Sequence, residues 1–127
     1  MHPEELRYTK EHEWVRVEEG RKARVGVTHY AQHQLGDVVF VELPGTGDRV
    51  EAGKSFAVVE SVKSVSDIYA PVGGRVVEVN AQLEDQPELI NEDPYGKGWI
   101  AVIEMDDPAE INALLSAAQY KEHIGEA

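Results

Sequence analysis

SFAVVESVKSVSDIYAP, residues Ser55–Pro71, holds two strand-like runs, Ser55–Glu60 and Ile68–Ala70, on either side of a short centre with one lysine, Lys63. β-Branched and aromatic residues dominate both runs, and serines occupy the centre, the pattern of two strands joined at a tip. Lys63 is the only base between Lys54 and Arg75, and Glu60 and Asp67 flank it. A lysine at a hairpin tip projects its four-carbon stem into solvent, where a modifying enzyme can reach it. Neutralising one exposed ammonium would cost the fold little. On position alone, an ordinary solvated lysine is the simpler reading.

Outward from this segment the periodicity stays close to two. Trp14–Val17, Ala23–Val27, Val38–Leu43, Arg75–Val79 and Trp99–Glu104 read as further short strands, separated by turn signals such as Glu19-Gly20 and Pro44-Gly45. Six or seven such strands predict a mainly β fold, a sandwich or barrel. Two helices interrupt it. Thr28 caps a short one near 28–35 that Gly36 stops. Asp107, Pro108 and Glu110 mark the start of a C-terminal helix near 108–120. Its apolar stripe would be Ile111, Leu114, Leu115 and Ala118. A weak internal repeat aligns GDVVFV (residues 36–41) with GRVVEV (residues 74–79), matching at four of six positions. Two similar halves would leave residues 54–69 as a projecting hairpin centred on Lys63.

The chain has 127 residues, which predicts a single domain over 1–127. Its 24 acids against 12 bases give a net charge of −12, and all of that charge falls on residues 28–127. Such a balance argues against nucleic acid, whose binding depends on Lys and Arg neutralising phosphates, and against an anionic membrane surface. The absence of cysteine removes disulfides, thiolate nucleophiles and thiolate metal sites. Met1–Glu5 has neither the basic segment and apolar run of a secretory signal nor the Arg-rich character of a transit peptide, so a cytoplasmic location is expected.

Other motifs are weak. Gly47–Ser55 resembles a phosphate loop, but five residues separate Gly47 from Gly53 where the motif has four, and a strand pattern follows. His29 and His33 are spaced i, i+4, yet the glutamate of a metalloprotease motif is missing, so no metal site is expected. The acid pairs Glu18-Glu19, Glu84-Asp85 and Asp106-Asp107 read as solvated or capping turn residues. Trp14, Phe40, Phe56, Tyr69 and Trp99 read as core or core-edge aromatics.

ESVKSVSDIYAPVGG (residues 60–74) resembles the attachment site of lipoyl-carrier proteins, and specifically of the H-protein family of the glycine cleavage system. HEWVRVE (residues 12–18), Val25–Asp67, GGRVVEVN (residues 73–80) and LINEDPYGKGW (residues 89–99) extend the likeness over nearly the whole chain. The resemblance implies a barrel-sandwich hybrid of two antiparallel sheets and a covalent carrier rather than an enzyme. Lys63 would hold lipoate in amide linkage, attached by a lipoyl-protein ligase or transferase that recognises Glu60. The implied partners are the P protein that loads an aminomethyl group, the T protein that passes the one-carbon unit on, and the L protein that reoxidises the dithiol. The loaded arm is expected to fold into a surface cleft near Glu13 and Asp67, where a carboxylate can pair with its ammonium. From the residues alone, Glu13 reads equally as a solvated strand residue, and Asp67 as a hairpin cap or a contact for the modifying enzyme. Gln34 stands where some relatives have histidine, with His33 one residue earlier, which leaves the arm's contact there open.

Rival readings are a lipoyl domain of another multienzyme complex, a biotinyl domain, and a paralogue acting as a scaffold or lipoyl relay. Biotinyl domains usually place methionines beside the lysine, where this chain has Val62 and Ser64. The acidic body predicts basic docking surfaces on its partners. Association should therefore weaken as salt is raised from low to physiological ionic strength, read by titration calorimetry, and a salt-independent affinity would contradict this.

Overall fold

The computed structural model describes residues 2–125. Its central feature is the hairpin of β6 (Ser55–Ser61) and β7 (Val65–Tyr69), antiparallel with Glu60 opposite Val65 and Val58 opposite Asp67. Val62, Lys63 and Ser64 form the tip. Ser61 closes it: its Oγ accepts the N–H groups of Lys63 and Ser64, each at 3.1 Å, and its own N–H donates to the Ser64 carbonyl at 2.8 Å. β4 (Val38–Glu42) pairs with the other edge of β6, completing a three-stranded sheet.

The facing sheet has six strands in the order β1–β2–β3–β9–β8–β5, all neighbours antiparallel. These are β1 (Arg7–Tyr8), β2 (Glu13–Val17), β3 (Lys22–Val27), β5 (Arg49–Val50), β8 (Gly74–Val79) and β9 (Ala101–Met105). The expected strands and two-sheet architecture are present. β1 and β5 went unseen because two residues show no periodicity. Val25, Val41, Val59, Val76 and Ile103 belong to the core between the sheets. The two copies of the internal repeat lie in opposite sheets, as β4 and β8, and each opens on a glycine with positive φ, Gly36 (79°) and Gly74 (158°).

α1 (His29–Leu35) forms as expected: the Thr28 hydroxyl accepts the Ala31 N–H at 3.1 Å, and Gly36 ends the helix. The single C-terminal helix near 108–120 is corrected. Asp107 and Pro108 start a 3-10 helix, Pro108–Ala113, and Leu114 then turns extended. Leu115 bridges Tyr8 through two backbone hydrogen bonds of 2.8 Å. A new helix, α4 (Ala117–His123), begins with a capping box between Ser116 and Gln119. The gain of strand-type bonds to β1 outweighs continuing one helix, and the expected stripe fails at Ala118, which is exposed while Ala117 and Tyr120 are buried. Ser-x-x-Gln was the legible signal for this second start. Two one-turn helices, α2 (Gln82–Asp85) and α3 (Leu89–Glu92), were also missed, and α2 takes up the Glu84-Asp85 pair expected in a turn.

A second apolar cluster joins Leu6, Tyr8, Trp14, Ala117 and Tyr120, with Tyr8 and Tyr120 stacked at 4.8 Å. Phe40, expected in or beside the core, is instead half exposed, because a β-bulge on β4 turns Val39 and Phe40 both outward. Among the described residues, no helix is long and apolar enough to cross a membrane.

Trp14 shows how tightly the six-stranded sheet is packed. It pairs with Gly26 across β2 and β3, its ring is fully buried, and its Nε1–H donates to the Pro94 carbonyl at 2.9 Å. A Cβ on Gly26 would stand 2.7 Å from three atoms of the indole. Gly26→Ala should therefore lower the unfolding free energy by about 1–3 kcal/mol, seen as a lower urea midpoint at constant m. An unchanged midpoint would show that the indole shifts freely.

Candidate functional site

Lys63 stands exposed at the hairpin tip, where the sequence put it. The tip is not loose. The Val62 N–H donates to the Asp37 carbonyl at 3.0 Å, tying the turn to the segment that leads into β4. The lysine stem crosses Gly36: a Cβ on that glycine would lie 2.9 Å from Lys63 Cε. Gly36 therefore ends α1 and leaves room for the stem. Asn91 on α3 fixes this corner, accepting the Val38 N–H at 2.8 Å and donating to the Gly36 carbonyl at 2.8 Å and to Gln32 Oε1 at 3.0 Å. Sequence reading passed over Asn91, since its partners lie more than fifty residues away.

From Ser64 a cleft of about 620 Å³ runs between α1 and β7. Glu11, His12, Tyr30, Gln34, Asp67 and Tyr69 are among its lining residues. This size suits a small organic group. A comparable cleft of about 570 Å³ lies beside Lys54 at the other end of the three-stranded sheet. Its two bases are already paired, Lys54 with Glu51 at 3.7 Å and Arg49 with Asp106 at 2.5 Å. It includes part of the phosphate-loop-like segment, which leads into β6 and not into a helix.

The structure separates the residues singled out in the sequence. Glu60 lies half-buried on β6, opposite Phe40 and Val65, on the outer face of the three-stranded sheet. Asp67 is exposed on β7, lines the cleft, and accepts the Ser55 hydroxyl at 3.1 Å. Gln34 lines the cleft, whereas His33 turns aside and stacks on His29 with centroids 6.4 Å apart. Among the described residues, no group of three or more His, Cys, Asp or Glu side chains gathers as metal ligands.

Glu13 is not a solvated strand residue; it is 1% exposed. One carboxylate oxygen accepts the Thr9 hydroxyl, and the other accepts the Tyr69 N–H at 3.1 Å. It thus lies beneath residues that line the cleft, its neighbours His12 and Tyr69 among them. Burial, only partly offset by the hydrogen bonds from Thr9 and Tyr69, pushes its carboxyl up to about 7.

Sequence reading also missed the cleft's second support. The Tyr120 hydroxyl sits 2.8 Å from His12 Nδ1 and 2.8 Å from the Thr28 hydroxyl, so α4 holds both the His12 wall and the cap of α1. His12 is the one non-glycine residue with positive φ, 76°, among the described residues. Burial, and then the nearby His123, lower its pKa, which favours a neutral imidazole.

Glu13 makes stability depend on pH. Its folded value of about 7 exceeds the ordinary 4.5, so within that window the folded chain holds a proton that the unfolded chain has released. The group's contribution to stability is full below the window and is lost as pH rises through it. Glu13→Gln keeps an acceptor for Tyr69 and a donor for Thr9 but cannot ionise. Its unfolding free energy should fall less than the parent's between pH values of about 4.5 and 7, measured by denaturant melts. Parallel pH profiles would remove Glu13 as the cause.

A family model described as Glycine cleavage H-protein matches residues 6–127. A glycine cleavage system H protein from Coprothermobacter proteolyticus is 56% identical over 123 residues, covering 97% of each chain. One from Staphylococcus carnosus is 58% identical over 124 residues, covering 98% of each. The crystal structure of a glycine cleavage system H protein from Mycobacterium marinum superposes with a TM-score of 0.88 at 41% identity, covering 97% of this chain and 98% of that one.

Proposed function

Since the chain belongs to the glycine cleavage H-protein family, we propose that it is the lipoyl carrier of that system, with Lys63 as the attachment point. The observation that carries the reading is one lysine, alone among acids, exposed at the tip of a braced hairpin inside a family match that spans nearly the whole chain. The residues present fit the group. The lysine leaves room for an acyl chain to run from Nζ, and the cleft that starts at Ser64 has the volume for a short aliphatic chain and ring. When bound, lipoate supplies a dithiolane whose sulfurs take up the aminomethyl group and an electron pair.

The chain's own part is to hold, present and shelter. Lys63 holds the arm by an amide that also removes its positive charge. Glu60, three residues earlier on the rigid β6 strand, is a recognition point for the lipoylating ligase or transferase. Asp67 at the cleft wall is the acid that meets the aminomethyl ammonium directly. Glu13 adds to it from beneath: an ammonium overhead favours its ionised form, and it keeps Tyr69 in place through the backbone bond. Gln34, where some relatives carry histidine, offers an amide to the arm. Neither Asp67 nor Glu13 performs a chemical step. The P, T and L proteins do the chemistry, and tethering the cargo gives each of them a high local concentration once the carrier docks. The whole chain, 1–127, acts as one carrier unit, in the compartment that holds those enzymes.

Intact-mass measurement tests the reading. Incubated with a lipoate–protein ligase, lipoate and ATP, the parent chain should gain one lipoyl group and Lys63→Arg none. The lipoylated parent should then support glycine–bicarbonate exchange with P protein. A parent chain that stays unmodified beside a working ligase would sink the carrier assignment.

A further inference from the structure

Among the described residues, five large apolar side chains are at least half exposed, and four of them gather around the root of Lys63. They are Phe40 (50% exposed), Val39 (54%), Val65 (66%) and Val62 (68%); the fifth, Val17 (52%), lies on the six-stranded sheet. The gathering follows from strand geometry. The bulge on β4 skips Val39 between the pairs Val38–Ser61 and Phe40–Glu60, so two consecutive apolar residues face outward. Phe40, Glu60 and Val65 then form one cross-strand row, with Val62 beyond it at the tip. Exposed acids surround the patch: Asp37, Glu42 and Asp67, with half-buried Glu60 inside it. Between residues 55 and 74, Lys63 is the only base.

An apolar patch with a polar rim, on a chain that is otherwise strongly charged, marks an interaction site. From this we infer that the patch of Val39, Phe40, Val62 and Val65 is the docking surface for the enzyme that acylates Lys63. That enzyme would present an apolar centre rimmed by Lys and Arg. The inference rests on the carrier reading above and names the partner that uses this face.

Reach decides among the possible occupants. To acylate Lys63, an enzyme must bring an acyl carbon to bonding distance of Nζ, so its surface has to close over the tip. Nζ first gives a proton to a base, and its lone pair attacks the carbonyl carbon of lipoyl adenylate. The C–N bond forms, the C–O bond to phosphate breaks with its electron pair leaving on AMP, and the nitrogen sheds a second proton. Enzymes that act on the finished arm meet its sulfurs, a full acyl chain and lysine stem away, and have no need to touch the root. The ring of carboxylates complements a basic rim. The bonds from Ser61 and Asp37 hold the tip in one shape before docking, which lowers the ordering cost of binding.

The test compares Phe40→Thr, Val39→Thr and Val17→Thr, which place β-branched strand formers at exposed positions outside the arm's cleft, as full-length chains. Thermal melts close to the parent's confirm folding. With a lipoate–protein ligase, lipoate and ATP, the first two should raise the KM for the carrier by about tenfold, and Val17→Thr should leave it unchanged. After full lipoylation with excess ligase, the same two should support glycine–bicarbonate exchange with P protein at the parent KM. Equal acylation KM values for all chains would overturn the inference while leaving the carrier reading intact. An equal loss in exchange would also overturn it, because the patch would then serve the users of the arm. A parent chain that takes no lipoyl group would overturn both.

Discussion

A buried carboxylate fastens the two sheets together below the cleft. Glu13 belongs to β2 of the six-stranded sheet, and its second oxygen accepts the N–H of Tyr69 on β7 of the three-stranded sheet. Removing a carboxylate from water is costly unless hydrogen bonds replace the lost hydration. Here the Thr9 hydroxyl and the Tyr69 amide do so, and a carboxyl pushed up to about 7 shows that they do not fully compensate. The bond fixes the base of the lysine-bearing hairpin, because Tyr69 is the last residue of β7 and pairs with Ser55, the first of β6. The cleft depends on the same junction. Tyr120 works from the other side, joining His12 to the cap of α1.

This brace explains how a carrier can be rigid where it presents and free where it reaches. Ser61, Asp37 and Asn91 hold the tip and the corner beneath it through bonds to backbone groups. Freedom then resides in the lysine stem and whatever is attached to it, not in the hairpin. A stiff tip presents one shape to a modifying enzyme, and an arm attached there would keep its own freedom to move. The charge is uneven: residues 1–27 are balanced, and the whole −12 falls on residues 28–127, which include Lys63. Acylation of Lys63 would deepen that imbalance by removing the only base between residues 55 and 74.

Legibility tracked the range of the interactions involved. The strands, the Thr28 cap, the Gly36 stop and the Lys63 hairpin all rest on neighbours within a few residues, and the structure has them where local patterning put them. The C-terminal helix was misjudged because a contact from residue 115 to residue 8 interrupts it. Phe40 was misjudged because alternation assigns it to a face, while a bulge caused by pairing with β6 reverses that face. Glu13 could be noticed from the HEW motif, but its burial depends on β7, 56 residues away.

By itself the sequence determined which lysine stands alone at a tip, the acidic field around it, the lack of competing thiols and the family to which these residues belong. Those properties are carried by residue identity and short-range pattern, which survive any rearrangement of distant parts. Only the tertiary structure decided that Gln34 and not His33 faces the cleft, that Glu13 lies under it, and that four apolar side chains crowd the root of Lys63. Each of these is a relation between strands or helices far apart in the chain. Register, bulges and packing set such relations, and one-dimensional periodicity does not encode them.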